Sequence, residues 1–246
     1  MRAIAVIPAR GGSKRIPRKN EKEFCGKPIL AYSVEAALAS ELFDTVMVST
    51  EDERIAALAV QYGAQVPFYR SAATAGDYAT TSDTLIEVLT RYRKRGEEFP
   101  FACCLYPTAP FVTARKLREG FDRLRTSQAE VLIPVVAFSY PIQRALVIRQ
   151  ERLVFEHPQY LDSRSQDLEP HYHDAGQFYF FRVEPFFRHR RLMAGDVLPY
   201  EVSELEVQDI DRETDWKLAE IKYRLMVERM ERECEVVSAD GSRTGR

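Results

Sequence analysis

Short apolar runs rich in valine, isoleucine and aromatic residues alternate with segments of helical periodicity along most of this chain. Runs at residues 3–8, 45–50, 101–107 and 130–138 have the length and composition of buried strands. The segments between them carry apolar residues three and four positions apart, as in helices that cover a sheet. Because this alternation is typical of βαβ units, the sequence predicts an α/β fold with a mainly parallel sheet flanked by helices.

The alternation stops between about residues 139 and 175, where strand-like fragments are separated by polar turns. We expect an insertion there rather than core sheet. A further short strand is predicted at 65–70 and another at 176–183. The last helix is expected to place an apolar stripe on the core, formed by Leu218, Ile221 and Leu225.

The chain has 246 residues, of which 45% are hydrophobic, and this suits a single domain. We predict one domain over 1–232 with the insertion at 139–175, followed by a polar flexible tail over 233–246. The formal net charge of −2 gives no general attraction to nucleic acid or anionic lipid. No apolar stretch is long enough to span a bilayer, so we expect a cytoplasmic protein.

Five positive side chains and no negative one occupy the loop that follows the first strand. Gly11, Gly12 and Ser13 allow a tight turn whose N–H groups point at an anion. The positive side chains that can neutralise phosphate oxygens are Arg10, Lys14, Arg15, Arg18 and Lys19. Because ligands of open α/β sheets bind at the carboxyl ends of the strands, the loop predicts a polyphosphate site. The alternative is a merely solvated basic loop. Neither a Walker A loop nor a G-x-G-x-x-G fingerprint is present.

Asp209 and Asp211 stand two positions apart near the end of the chain. On an extended segment they project to the same side, so two hard carboxylates can share one Mg²⁺ that also binds triphosphate oxygens. Such a site fits metal-assisted phosphoryl chemistry. The alternative is that Asp211 caps the following helix and Asp209 is solvated.

The stretch from Pro8 to Lys14, with Pro17, Lys19 and Asn20, resembles the opening motif of the CMP-sialic acid synthetase family. These cytidylyltransferases activate nine-carbon acidic sugars, and the resemblance extends to about residue 230. It implies a Rossmann-like nucleotidyltransferase fold of the GT-A-like type. It also implies a homodimer that associates through the irregular region at 139–175, and an acidic pair that matches Asp209 and Asp211.

The resemblance also implies residue roles. Counterparts in the family hold the CTP phosphates and cytidine at positions that match Arg10, Ser13, Lys19 and Asn20. Lys19 resembles the lysine expected to stabilise the α-phosphate as charge develops there. Two further residues are placed on the nucleotide side, Arg70 and Asp77. For Arg70 the alternative is a surface arginine that ends a strand.

The stretch YPTAPF, residues 106–111, closes an apolar strand and resembles the family's loop under the base. This resemblance implies nucleotide contacts from Tyr106, Pro107 and Thr108. The family usually has glutamine where this chain has Tyr106, so stacking or backbone groups are expected to replace an amide.

Residues 163–179 depart from the sialic acid enzymes and resemble the pseudaminic acid cytidylyltransferases, in which SQDLE is followed by HDAGQFY. A pocket for pseudaminic acid must pair one carboxylate and accept methyl groups. Candidates for substrate contacts are Gln143, Arg144, Arg164, Gln166, His173 and Gln177. The H-x-H pair, His171 and His173, has two further interpretations, a transition-metal site and plain packing or surface placement.

Taken with the phosphate loop and the acidic pair, the resemblance implies a Mg²⁺-dependent transferase that makes a CMP-sugar for a surface glycan from CTP and pseudaminic acid. The sugar's anomeric hydroxyl would attack the α-phosphate in line, with Lys19 and Arg10 stabilising charge. Asp211, directly or through metal-bound water, is the candidate general base. Alternatives are a cytidylyltransferase for sialic acid, legionaminic acid or Kdo, and a non-catalytic nucleotide-binding scaffold subunit.

Overall fold

The computed structural model describes residues 2–76 and 78–241, with side chains described up to residue 232. Asp77, a predicted nucleotide contact, lies outside the described residues. The strands are β1 (Ala3–Pro8), β2 (Glu23–Phe24), β3 (Lys27–Pro28), β4 (Thr45–Ser49), β5 (Phe101–Leu105), β6 (Val131–Ala137), β7 (Leu146–Arg149), β8 (Arg152–Phe155), β9 (Tyr172–Asp174), β10 (Phe178–Arg182) and β11 (Val197–Glu201). The helices are α1 (Ile29–Ser40), α2 (Glu53–Gln61), α3 (Ala72–Ala75), α4 (Thr81–Lys94), α5 (Ala114–Thr126), α6 (Val183–His189) and α7 (Glu213–Gly241). None of the described helices combines the length and the apolar character needed to cross a membrane.

The central sheet has the strand order β11-β6-β10-β5-β1-β4. β1 is parallel to both β4 and β5, and β11 is parallel to β6. β10 runs antiparallel to both of its neighbours, β5 and β6. The prediction of a mainly parallel α/β sheet is therefore confirmed, with two antiparallel strands: β10 within the strand order above and the short β9, which pairs with β6 beside it.

Helices cover both faces of this sheet, which explains why its strands are continuous apolar runs. Along β1, Ala5 and Ile7 face a core shared with α1, α2 and α5. Ile4 and Val6 face the opposite core, which includes residues of α4 and α6. Alternate residues of one strand thus serve two separate cores, as the two-residue period of a strand requires.

Side chains fix where the helices around the sheet begin. Thr80 accepts a hydrogen bond from the Asp83 N–H at 3.1 Å, and the Asp83 carboxylate accepts one from the Thr80 N–H at 3.0 Å, which is a capping box. Asp52 caps α2 and Thr113 caps α5 in the same general way. The Thr80 cap fixes the start of α4, the helix that packs against β1.

The irregular region at 139–175 contains the hairpin of β7 and β8 and the short strand β9. β9 is antiparallel to β6, so the chain leaves the sheet at the end of β6 and returns beside the same strand. The predicted strand-like fragments thus form a separate two-stranded sheet. The insertion therefore leaves the central sheet at the end of β6 and rejoins it at the same place.

The prediction of a strand at 65–70 is wrong. Only Gln65 makes an isolated bridge, to Met47, and the chain then passes through Pro67, which cannot donate to a ladder. The strand β11 was not predicted from the sequence. It contains Pro199 and lies at an edge of the sheet, where a missing N–H is tolerated.

The predicted core face of the last helix is also wrong. Leu218, Ile221 and Leu225 are 44%, 53% and 47% exposed. α7 instead buries Trp216 and Met226, because these reach a cluster that includes Phe24, Tyr32 and Phe111. The predicted domain boundary at 232 does not coincide with the end of this helix, which continues to Gly241. The rest of the predicted tail, 242–246, lies outside the described residues.

Candidate active site

A cavity of about 510 Å³ lies at the carboxyl ends of β1 and β5, a size typical of small-molecule sites. Its lining includes nearly all the described residues that the sequence assigns to the nucleotide: Arg10, Ser13, Lys14, Lys19, Asn20, Arg70, Tyr106, Pro107 and Thr108. Gly11 and Gly12 belong to the same loop but do not line it. The first turn of α4 adds hydroxyl groups that were not predicted, those of Thr80, Thr81 and Thr84.

Two buried side chains hold the basic loop in place. Asn20 is 5% exposed and donates its Nδ2 hydrogen to the Arg10 carbonyl at 3.0 Å, which joins the two ends of the loop. Ile16 is 1% exposed and packs with Phe24 and Trp216. The loop is therefore anchored from within, while Arg10 and Lys14 stay on its exposed side.

The Gly11 amide has a different partner from the one expected. It donates to Glu51 Oε1 at 2.7 Å instead of pointing into the cavity, and the Ser13 N–H donates to the Gly11 carbonyl at 3.0 Å. A Cβ atom on Gly11 would lie 2.7 Å from Asp52 Oδ2, so this close approach requires glycine. Among the described residues, Glu51 Oε2 has no hydrogen-bond partner.

Glu51 was missed by the sequence analysis. It stands two positions after the end of β4, so its place at the carboxyl end of a parallel strand was the available signal. Through its bond to Gly11 it fixes the first turn of the basic loop.

Asp211 lies beside Lys19, although the two are far apart in sequence. Lys19 Nζ donates to the Ile210 carbonyl at 2.6 Å and lies 3.8 Å from Asp211 Oδ1. Arg15 Nη1 lies 2.6 Å from Asp211 Oδ2. The basic loop and the acidic segment thus meet at one site.

The alternative role for Asp211 as a helix cap is not what the structure shows. At the start of α7, Asp215 Oδ2 accepts hydrogen bonds from the N–H groups of Asp211 and Arg212, at 3.1 and 2.8 Å. The capping carboxylate is therefore that of Asp215. The Asp211 side chain is left to pair with the two cations.

Burial and mutual repulsion set the electrostatics of this acidic segment. Burial raises the pKa of Asp209, and the nearby charge of Asp211 raises it further, while Lys19 opposes the shift. Burial lowers the pKa of Lys19, and Asp211 and Asp209 act against that shift. A second carboxylate close enough to raise the pKa of Asp209 also favours a cation held between the two residues.

The donor set fits a Mg²⁺ ion. Asp209 and Asp211 supply hard carboxylate oxygens, and Mg²⁺ commonly takes one or two carboxylates with phosphate oxygens and water for the rest. In the described part of the chain, no group of three or more His, Cys, Asp or Glu side chains is arranged to hold a metal. That finding gives no support to a transition-metal site at His171 and His173.

Arg70 is held firmly at the cavity. Its Nη2 donates to the Ser49 carbonyl at 2.7 Å, and its backbone N–H donates to the Thr50 carbonyl at 2.8 Å. Burial lowers the pKa of Arg70, and the charge of Glu51 partly offsets this. Arg70 is thus a fixed, half-buried cation rather than a surface arginine at a strand end.

Tyr106 is fixed by both its backbone and its ring. Its N–H donates to the Gln177 carbonyl at 2.9 Å, and its carbonyl accepts from Ser33 Oγ at 2.7 Å. Its ring centroid lies 5.3 Å from that of Tyr179, whose hydroxyl donates to Asp174 Oδ2 at 2.7 Å. Burial raises the pKa of Tyr106, so its hydroxyl keeps its proton at neutral pH.

The six predicted sugar contacts are not among the residues that line the cavity. Gln143 and Gln177 are buried, and their amide groups donate to the carbonyls of Glu169 and Glu206, at 2.8 and 2.5 Å. Arg144 is half-buried, with Nη1 3.4 Å from Ser165 Oγ. The remaining three are exposed: Arg164, Gln166 and His173. The roles assigned to these six residues stay predictions.

Residues 4–233 match the sequence model of a family described as Cytidylyltransferase. A pseudaminic acid cytidylyltransferase of Campylobacter jejuni (strain 81-176) is 36% identical over 226 residues, covering 92% of this chain and 97% of that protein. A CMP-N,N'-diacetyllegionaminic acid synthase of Legionella pneumophila is 32% identical over 227 residues, covering 89% of this chain and 95% of that protein.

Solved structures share the fold at lower sequence identity. A CMP:2-keto-3-deoxy-manno-octonic acid synthetase in complex with CTP aligns with a TM-score of 0.68 and 19% identity, covering 93% of this chain and 100% of that chain. A 4-diphosphocytidyl-2C-methyl-D-erythritol synthase of Anaerococcus prevotii aligns with a TM-score of 0.63 and 12% identity, covering 91% of this chain and 98% of that chain. Both alignments place the sheet described above in a nucleotidyltransferase fold.

Proposed function

This chain belongs to the cytidylyltransferase family, and on that premise we propose that it transfers CMP from CTP to the anomeric hydroxyl of pseudaminic acid, with release of pyrophosphate. The observation that carries the proposal is the contact between the basic loop and the acidic segment at one cavity. The choice of sugar rests on the Campylobacter relative and on the HDAGQFY sequence of residues 173–179. Because CTP is a cytoplasmic nucleotide, we place the reaction in the cytoplasm.

The residues of the cavity can perform this reaction mainly by positioning. Arg10, Lys14 and Arg70 surround the space for a triphosphate, and Lys19 is fixed where it can stabilise charge on the α-phosphate. Mg²⁺ held by Asp209 and Asp211 would neutralise charge on the triphosphate and on the departing pyrophosphate. Aligning the sugar hydroxyl with the α-phosphate then supplies most of the remaining rate increase. Asp211 stays the candidate group for the hydroxyl proton.

We also propose that two copies associate through the insertion at 139–175. Its hairpin exposes Leu146, Ile148 and Leu153, which are 48%, 77% and 66% exposed. Clustered apolar side chains of this kind mark protein contact surfaces. Light scattering of the wild type and of Ile148→Asp would test this, with a dimer expected for the first and a monomer for the second. Equal masses would contradict it.

Pyrophosphate release from CTP and Mg²⁺ over a panel of acidic sugars tests the proposed reaction. We expect release with pseudaminic acid, and little with legionaminic acid, sialic acid or Kdo. Release with legionaminic acid alone would reassign the sugar and keep the family chemistry. Absence of release with every sugar, from a folded protein that binds CTP, would favour the scaffold alternative.

A further inference from the structure

Glu206 is an acidic residue buried away from the nucleotide cavity, and the reaction proposed above does not use it. It is 6% exposed and stands three positions before Asp209, in a short 3₁₀ turn, Glu204–Glu206. Burying a carboxylate is unfavourable unless it is paired and hydrogen-bonded. The partners of the Glu206 carboxylate therefore indicate its role.

Two cations from separate elements pair with its carboxylate. Lys116 Nζ, on α5, lies 2.5 Å from Glu206 Oε2, and Lys116 is itself 6% exposed. Arg229, on α7, pairs with Glu206 Oε1. Lys116 also donates to the Phe111 carbonyl at 2.9 Å, at the end of the loop that carries Tyr106. One ion-pair network thus joins the base loop to the acidic segment.

The backbone of the same segment is held by further side chains. Gln177 Nε2 donates to the Glu206 carbonyl at 2.5 Å. Lys222 Nζ donates to the carbonyls of Glu204 and Val207, at 3.1 and 2.8 Å. These anchors all precede Asp209, whereas from Asp211 onward the segment is held by Asp215, in the first turn of α7.

We infer that Glu206 is a positioning residue that fixes Asp209 and Asp211 against Lys19, so that the aspartates are preorganised for the metal complex of CTP. The inference rests on the proposed function, because it concerns how the same site holds Mg²⁺ and nucleotide. Residues that orient metal ligands typically change metal affinity or activity about 10- to 100-fold when they are replaced. A residue that only stabilises the fold has no reason to affect metal-dependent binding selectively.

Glu206→Gln tests this through CTP binding measured by calorimetry, once with Mg²⁺ and once with EDTA. The ratio of the two affinities isolates the gain that the metal gives. We expect this ratio to be about tenfold smaller in the variant than in the wild type, which is the lower end of the 10- to 100-fold range given above. Its affinity in EDTA should change much less, because the basic loop is intact. An unchanged ratio in the variant, beside a clear Mg²⁺ gain in the wild type, would overturn the inference.

A second variant keeps the inference testable if Glu206→Gln fails to fold. Lys116→Met/Glu206→Met removes both buried charges together, and buried ion pairs often tolerate replacement by apolar residues of similar volume. The same loss of ratio is expected from it. Arg182→Met is the matched control, since Arg182 anchors carbonyls of a different segment, those of Ala129 and Ser127, both at 2.9 Å. The control should keep the wild-type ratio.

Amide hydrogen exchange without CTP or Mg²⁺ separates this inference from the proposed function. We expect faster exchange at residues 207–211 in Glu206→Gln than in the wild type or in Arg182→Met. Unchanged exchange there would overturn the anchoring role, whatever the wild type catalyses. If the wild type binds CTP no more tightly with Mg²⁺ than with EDTA, that result counts against the proposed function. Hydrogen exchange at residues 207–211 would still decide whether Glu206 anchors the segment.

Discussion

Replacing Lys19 with methionine is the most direct test of the site. The substitution keeps the aliphatic stem and removes the charge that links the basic loop to the acidic segment. Lys19 Nζ is fixed 2.6 Å from the Ile210 carbonyl and 3.8 Å from Asp211, so its position is set by the protein. A preorganised cation of this kind stabilises charge that develops in the transition state without reorganisation.

The size of the effect follows from this geometry. At about 4 Å, two unit charges interact by about 4 kcal/mol at an effective dielectric constant of about 20. Desolvation of the ammonium offsets part of that gross value. Removing one fixed donor from such a site costs about 2.7–4 kcal/mol, or about 10²–10³ in kcat. We therefore expect Lys19→Met to lower kcat about 10²–10³-fold, with a smaller change in the KM for CTP.

The assay is steady-state pyrophosphate release with saturating sugar and Mg²⁺. Lys22→Met is the matched control. The Lys22 side chain is 32% exposed, against 21% for that of Lys19, but Lys22 pairs with Glu213 and lies over the ring of Trp216. That variant should keep the wild-type kcat. A folded Lys19→Met enzyme whose kcat stays within about tenfold of the wild type would refute the assignment of Lys19 to the α-phosphate.

Three further substitutions test the surroundings of the cavity. Arg70→Met should raise the KM for CTP about tenfold or more, because a hydrogen bond to a charged group contributes about 1.5–3 kcal/mol; an unchanged KM would exclude contact with the nucleotide. Gly11→Ala forces a Cβ to within 2.7 Å of Asp52 Oδ2, so a loss of about 1–3 kcal/mol in urea unfolding is expected, and wild-type stability would contradict the close approach. Burial tends to raise the pKa of Glu87. Hydrogen bonds from Thr74 and Ser71 outweigh that effect, so the pKa lies below its ordinary value of 4.5. Its ionised form therefore stabilises the fold fully above pH 4.5 and loses that effect as the pH falls through the lower folded value. The Tm difference between wild type and Glu87→Gln should shrink over that acidic range, and a constant difference would contradict this.

The features that the sequence predicts correctly are those set by short stretches of chain. The apolar run of β1 and the glycines and cations after it indicate a loop at a strand end, and the structure places that loop on the cavity. The resemblance to cytidylyltransferases carried by Pro8–Asn20 is confirmed. The structure also brings Asp211, near the end of the chain, to 3.8 Å from Lys19 in the basic loop, and the metal-binding role of Asp209 and Asp211 stays a prediction.

The features that the sequence does not predict depend on the partner surface. Periodicity identifies apolar stripes on α7 but not which stripe is buried, and the aromatic cluster of Phe24 and Tyr32 selects Trp216 over Leu218. The Gly11 amide was expected to face an anion, yet Glu51, just after the neighbouring strand β4, accepts its hydrogen bond. Such cross-strand contacts have no signature within one stretch of sequence, because they arise when distant segments pack together.

The antiparallel strand explains how one site gathers segments from distant parts of the chain. β10 runs opposite to β5 and β6, so its beginning lies at the edge where β1, β5 and β6 end. The insertion at 139–175 therefore starts and finishes at the edge that carries the cavity, and Gln177 reaches the backbone of Tyr106 there. β11 is parallel to β6, so its end delivers the segment with Asp209 and Asp211 to that same edge. A parallel strand in place of β10 would have its beginning at the opposite edge, and would carry the return of the insertion away from the nucleotide.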